Sequence, residues 1–281
     1  MVWKFSFASF EFIRNKYYFC KMIFYLSNTG NSLWAAETVA KETDDKIVSI
    51  IEAIRNDYTF SLSKNERIGF VFPVHGWRPP KIMRRFIQKL VIDNSAEHYC
   101  YAIATAGDNI GETIDILERD LKEAGICLNA AFSLIMPESY VGLPFMDVDT
   151  QVKEQQKKDA SAKRLREYIT YIEERKCVRK NLVIGRWPRL NTRVIGGFFT
   201  NILITDKPFR VVEDRCVKCG RCADVCQVDN IEGGKGKMPE WKHNGDCMTC
   251  FACYHHCPNH AIEFGHRTQN KGQYYFNKNK L

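Results

Sequence analysis
Short apolar runs alternate with amphipathic stretches through the first half of the chain. The apolar runs are residues 22–26, 46–50, 68–72, 99–105 and 126–136. Between them, residues 33–41, 82–90 and 112–124 place apolar side chains at helical spacing, while residues 51–66 are irregular, with room for one short helix. Short and nearly continuous apolar runs are the signature of strands buried on both faces. Strands that alternate with helices predict an α/β fold built on a doubly wound parallel sheet. Residues 148–177 read as one long polar helix that closes this unit. The pattern then changes. Residues 178–210 are basic, with an apolar patch at 194–204 that contains Gly196 and Gly197 and is too short to span a bilayer. This stretch is expected to be a connector packed between domains, with peripheral membrane contact as the alternative. Residues 211–266 form a small cysteine-rich module, and the polar, basic tail 267–281 is expected to be mobile.

Eight of the twelve cysteines fall in that module, in two runs: Cys216, Cys219, Cys222 and Cys226, then Cys247, Cys250, Cys253 and Cys257. Both runs read C-x2-C-x2-C-x3-C, and each cysteine of the first recurs 31 residues later in the second. Ile231 and Ile262 keep the same register, so the runs are an internal repeat. A 4Fe-4S cube needs a thiolate on each iron. Closely spaced cysteines on one loop can cap one face of it, so the spacing predicts two four-cysteine cluster sites. Zinc sites pair two C-x2-C units across a longer loop, and disulfides suit a secreted chain; neither fits this spacing. Of the remaining cysteines, Cys100 and Cys127 lie in apolar stretches and are expected to be buried thiols, while Cys20 and Cys177 are scattered.

The loops after three of the strands carry a second candidate chemistry. Ser27, Asn28, Thr29, Gly30, Asn31 and Ser32 lie between the first strand and the first helix. A strand, a tight polar loop and a helix N-terminus together offer free N–H groups and a positive dipole end to a phosphate. No Lys or Arg stands in this loop, so neutral donors would carry the binding. Pro73, Val74, His75, Gly76 and Trp77 follow the third strand, and Thr105, Ala106, Gly107, Asp108, Asn109 and Gly111 follow the fourth. Loops at this end of a doubly wound sheet surround its switch point, where ligands bind.

The first loop resembles the FMN phosphate loop of flavodoxins, roughly [ST]-x-T-G-x-[ST], through Ser27, Thr29, Gly30 and Ser32. The cysteine runs resemble those of bacterial ferredoxins, although the first has Gln227 where that pattern has Pro; no ligand changes. Over residues 22–266 the chain looks like the flavodoxin–ferredoxin fusions, iron–sulfur flavoproteins also called ferrodoxins. The resemblance implies a flavodoxin-like sheet of order 2-1-3-4-5 followed by a small α+β ferredoxin domain. It implies one FMN and two 4Fe-4S clusters. The fourth cysteine of each run would ligate the other cluster, so Cys216, Cys219, Cys222 and Cys257 would hold one and Cys226, Cys247, Cys250 and Cys253 the other. It also implies that the second and third loops contact the flavin ring, with Trp77 able to stack on its face. The expected division is an extension at 1–21, an FMN domain at 22–177, a basic connector at 178–210, a double-cluster domain at 211–266 and the tail.

Composition narrows the function. Net charge is +8, but residues 22–152 hold twelve basic against eighteen acidic side chains, whereas residues 153–210 hold fifteen against six. The candidate cofactor regions are therefore not basic readers, and no nucleic-acid motif is present. Glu11, Arg14 and Lys16 interrupt the aromatic N-terminal stretch, so neither a signal peptide nor a membrane span is expected there; the strand starting at Met22 suggests that residues 1–21 are an upstream artefact, with a peripheral membrane or partner-binding arm as the alternative. The expected protein is a cytoplasmic electron carrier between FMN and the clusters, with redox partner proteins unspecified. The alternatives are an FMN-dependent reductase of a small molecule, with His75 as first candidate proton donor, and a redox-sensing regulator.

Overall fold
The computed structural model describes residues 17–19, 21–61, 66–92 and 98–278. Most of the N-terminal extension, with Cys20, lies outside them. In chain order the first unit contains β1 (Tyr17–Phe19), β2 (Met22–Tyr25), α1 (Asn31–Thr43), β3 (Lys46–Ser49), α2 (Ile50–Arg55), β4 (Thr59–Ser61), β5 (Arg67–Pro73), α3 (Lys81–Lys89), β6 (Tyr99–Ala106), α4 (Thr113–Glu123), β7 (Leu128–Ile135), α5 (Gln151–Glu173) and β8 (Val178–Lys180). Six of these strands form one parallel sheet in the order β3-β2-β5-β6-β7-β8. The first five have the expected flavodoxin order. Period-two alternation splits their apolar side chains between two cores. Met22, Phe24, Phe70 and Ala102 meet α3 and α4 on one face, through Met83, Phe86 and Leu117. Ile23, Val71, Ile103 and Phe132 meet α1 and α5 on the other, through Val39, Leu165 and Tyr168.

Two expectations change here. The stretch expected to begin a connector contributes the sixth strand, with Val178, Arg179 and Lys180 paired to Ala130, Ala131 and Phe132. It is an edge strand, so its charged side chains face outward and bond Glu118 and Glu167. Cys100 is buried, but Cys127 is exposed, because β7 begins one residue after it.

Residues 190–203 form an irregular helix, α6, with wide π-type turns at both ends. The cysteine-rich unit follows, with β9 (Phe209–Val211), α7 (Arg221–Asp224), β10 (Ile231–Glu232), β11 (Glu240–Trp241), α8 (Ala252–His255) and β12 (Ile262–Phe264). β9 pairs antiparallel with β12, and β10 with β11. Phe209, Phe251, Tyr254, Ile262 and Phe264 make its core. The tail expected to be mobile is packed instead. Tyr274 is buried, the Phe276 N–H donates to the Thr29 carbonyl at 2.7 Å, and its ring stacks on Trp34 at 5.4 Å.

Candidate functional site
The strand ends and the cysteine module enclose a cavity of about 530 Å³. All the predicted flavin-loop residues line it except Gly30 and Gly111. Those two glycines shape the walls from behind. Gly30 precedes α1 in a left-handed conformation, φ 93°. Gly111 has φ 52°, and a Cβ there would stand 2.4 Å from Thr192 Oγ1 and 2.8 Å from Trp77 Cβ. Trp77 is itself left-handed at φ 58°, beside Gly76 at 56°. Two backbone hydrogen bonds between His75 and Arg78, 3.0 and 3.2 Å long, close this turn and hold the Trp77 conformation, which is about 1–2 kcal/mol uphill for a non-glycine residue.

In the first loop, Ser27 Oγ and Asn28 Oδ1 are buried without a hydrogen-bond partner. Of the two, the Ser27 hydroxyl can donate, and an unpaired donor beside a helix N-terminus fits an oxyanion, whereas Asn28 Oδ1 can only accept. Asn31 and Ser32 are already engaged: Asn31 Nδ2 donates to the Pro137 carbonyl at 3.1 Å, and Ser32 Oγ bonds Thr105 Oγ1 at 2.8 Å. Their side chains brace the loop. On the opposite side, the Lys157 ammonium donates to the Gly107 carbonyl at 2.7 Å and to Asp149, which accepts the Glu138 N–H at 2.9 Å. This chain locks the 105–109 loop to the 137–140 loop. Burial pushes the Glu138 carboxyl above its usual range, opposed by the N–H groups of Tyr140 and Ser139. Burial also pushes the His75 imidazole down to about 4, so the ring is neutral at neutral pH.

Sequence reasoning missed two walls. Residues 137–146 contribute Glu138, Tyr140, Phe145 and Met146, and α6 contributes Ile195, Phe198, Phe199 and Leu203. Helix α6 lies close because Gly196 touches the 73–78 loop: a Cβ there would be 2.2 Å from the Gly76 carbonyl oxygen. The Arg78 guanidinium donates to the Thr192 carbonyl at 2.8 Å, and Arg193 pairs with Glu112 at the same distance. The Gly-Gly pair at 196–197 was the available signal for such a close approach.

The third wall is the cysteine module itself, through Met248, Thr249 and Cys250. Phe251, next in sequence, packs edge-to-face on Tyr140 at 5.3 Å. Cys216, Cys219, Cys222 and Cys257 line a separate pocket. Cys226, Cys247, Cys250 and Cys253 lie near one another: Cys226 pushes up the thiol pKa of the other three, and Cys247 pushes up those of Cys250 and Cys253. The last cysteine of each run thus lies beside cysteines of the other run. Burial is the main cause of every shift: Cys222 and Cys247 are pushed up to about 11 and Cys250 to about 12. Such thiols stay protonated alone, whereas a bound metal centre favours the thiolate. Backbone N–H groups reach sulfur at equivalent places in the repeat, Asn230 N to Cys226 at 3.3 Å and Ala261 N to Cys257 at 3.1 Å, and hydrogen bonds of this kind orient and tune sulfur ligands. Among the described residues, no three His, Cys, Asp or Glu side chains are grouped as for a single metal ion.

The fold and these two kinds of site define an electron-transfer iron–sulfur flavoprotein. Residues 22–117 match the family described as Flavodoxin domain, and residues 209–258 match the one described as 4Fe-4S dicluster domain. The chain is therefore a flavodoxin–ferredoxin fusion. No curated protein matches it. No helix among the described residues is long and apolar enough to cross a membrane.

Proposed function
We propose that this chain relays electrons between an FMN in the interdomain cavity and two 4Fe-4S clusters. One cluster would be held by Cys216, Cys219, Cys222 and Cys257, the other by Cys226, Cys247, Cys250 and Cys253. The supporting observation is that Cys250 lines the same cavity as the phosphate loop and Trp77. When bound, FMN supplies exchange of one or two electrons, and each cluster supplies exchange of one. The chain's own residues do the positioning. The N-terminus of α1 and the Ser27–Thr29 donors hold the phosphate, Trp77 and Tyr140 flank the ring, and α6 with Phe145 excludes water from the side away from the sheet. Holding both centres in one fold replaces a bimolecular encounter with a fixed one. In this reading residues 22–177 extended by β8 form the flavin unit, residues 211–266 form the cluster unit, and α6 is the wall between them. The free thiols suit a reducing compartment such as the cytoplasm.

Metal, sulfide and flavin analysis of one anaerobically purified sample tests this reading. About eight irons and one FMN per chain are expected. Eight irons with no flavin would defeat the relay, and zinc in place of iron would overturn the cluster assignment.

A further inference from the structure
The phosphate loop is gripped from outside the flavodoxin unit, by Gln227 of the cluster unit and by the C-terminal tail. Gln227 Nε2 donates to the Ser27 carbonyl. The Phe276 N–H donates to the Thr29 carbonyl at 2.7 Å, and the Tyr274 hydroxyl donates to Asn31 Oδ1 at 2.6 Å. All three contacts consume acceptors of the loop. They leave the Ser27 hydroxyl, a donor with no partner, free to meet a ligand, together with the acceptor Asn28 Oδ1. Gly30, between these contacts, is pressed against the tail: a Cβ on it would stand 2.7 Å from Phe276 Cβ.

The gripping residues are themselves fixed to the cysteine loops. Gln227 follows Cys226 directly, and its own carbonyl accepts from Arg55. Gln273 Nε2 donates to the carbonyls of Tyr254 and Cys257, both at 2.7 Å. The Tyr274 N–H donates at 3.1 Å to His255 Nδ1, whose Nε2 bonds the Ser139 carbonyl at 2.6 Å. Because Nδ1 accepts, Nε2 carries the proton, and this neutral ring joins the tail, α8 and the cavity loop in one line.

We propose that Gln227 and the segment 273–276 form a clamp that shapes the phosphate loop, so that FMN affinity depends on the docked cluster unit. The clamp rests on the reading that this cavity holds FMN. It accounts for the one departure from the ferredoxin pattern: proline at position 227 has no donor to offer Ser27. It also makes the coupling reciprocal. A phosphate that favours the clamped loop must favour docking of the cluster unit by the same factor.

The test uses Gln227→Pro and Tyr274→Phe, singly and together, in the full iron-loaded chain. Pro restores the ferredoxin residue, and Phe keeps the buried ring, so iron content serves as the folding check. FMN and riboflavin are each titrated by fluorescence quenching into deflavinated protein. Each substitution is expected to weaken FMN binding about fivefold, and both together more than tenfold, the worth of one and two hydrogen bonds. Riboflavin, which has no phosphate, should bind the variants and the wild type alike. Unchanged FMN affinity in the iron-replete double variant would overturn the clamp. Equal losses for both flavins would overturn it too, by showing that the tail supports the cavity and not the phosphate loop. If wild-type protein binds riboflavin as tightly as FMN, the phosphate-loop reading itself fails.

Discussion
The two cysteine runs share a backbone and differ in what that backbone faces. Left-handed residues recur 31 positions apart: Lys218 and Thr249, Gly220 and Phe251, Asp229 and His260. The short helices α7 and α8 keep the same offset, as do the N–H bonds to Cys226 and Cys257. Around the first run, Cys219, Arg221 and Asp224 are exposed and Val217 is 60 % exposed. Around the second, the equivalents of Val217, Gly220 and Asp224 are Met248, Phe251 and His255. Met248 lines the cavity, and Phe251 and His255 are buried. The repeated positions therefore set ligand stereochemistry, and the unrepeated ones set direction. The second run is turned toward the cavity through Met248, Thr249 and Cys250. The start of the first run, around Val217 and Cys219, is turned toward solvent, while its end at Gln227 turns back to the phosphate loop.

The comparison can be broken most severely by removing iron. Chelating the clusters from native protein dissolves the structure that holds both the Cys250 wall and the clamp. FMN affinity should fall more than tenfold, read by released flavin fluorescence; retention of flavin by the iron-free chain would separate the two units. Next comes the matched pair Phe251 and Gly220. Phe251→Ala should cost about 3–5 kcal/mol in denaturant unfolding, since it empties the core shared with Tyr140 and Phe264. Gly220→Ala should cost about 1–3 kcal/mol, because φ is 82° and its Cβ would meet the Gly234 backbone at 2.8 Å. A larger loss from Gly220 would invert the comparison. The smallest effect separates His255 from Asp224. His255→Leu leaves the Ser139 carbonyl and the Tyr274 N–H buried without a partner, for about 1–3 kcal/mol. Asp224→Ala, at the exposed equivalent, should stay within about 0.5 kcal/mol on the same unfolding curves.

The parts legible in the sequence are those written in periodicity or spacing. Five strands announced themselves as apolar runs, and the loops at their ends do converge on one cavity. The cysteine offset carries over into dihedral angles. What stayed hidden depends on contacts with no local pattern. Val178, Arg179 and Lys180 read as polar chain because an edge strand needs no apolar alternation. Helix α6 reverses the usual rule: Thr192, Gly196 and Thr200 face inward, while Leu190, Val194, Phe198 and Ile202 are half or more exposed. Small residues make the close approach to the 73–78 loop, so the inward face of α6 carries no apolar spacing to read. The tail is polar in composition, yet Tyr274 and Phe276 anchor it, and their partners Asn31, Thr29 and Trp34 lie some 240 residues earlier.

The central claim is that Cys250 faces the proposed flavin and Cys219 faces outward. It is tested most directly by following flavin and cluster absorbance after rapid one-electron reduction of the anaerobic protein, in Cys250→Ala and Cys219→Ala variants that each retain about half the iron. The account predicts exchange between flavin and clusters at a rate independent of protein concentration, kept by Cys219→Ala and lost in Cys250→Ala. Equal loss in both, or loss only in Cys219→Ala, would contradict it.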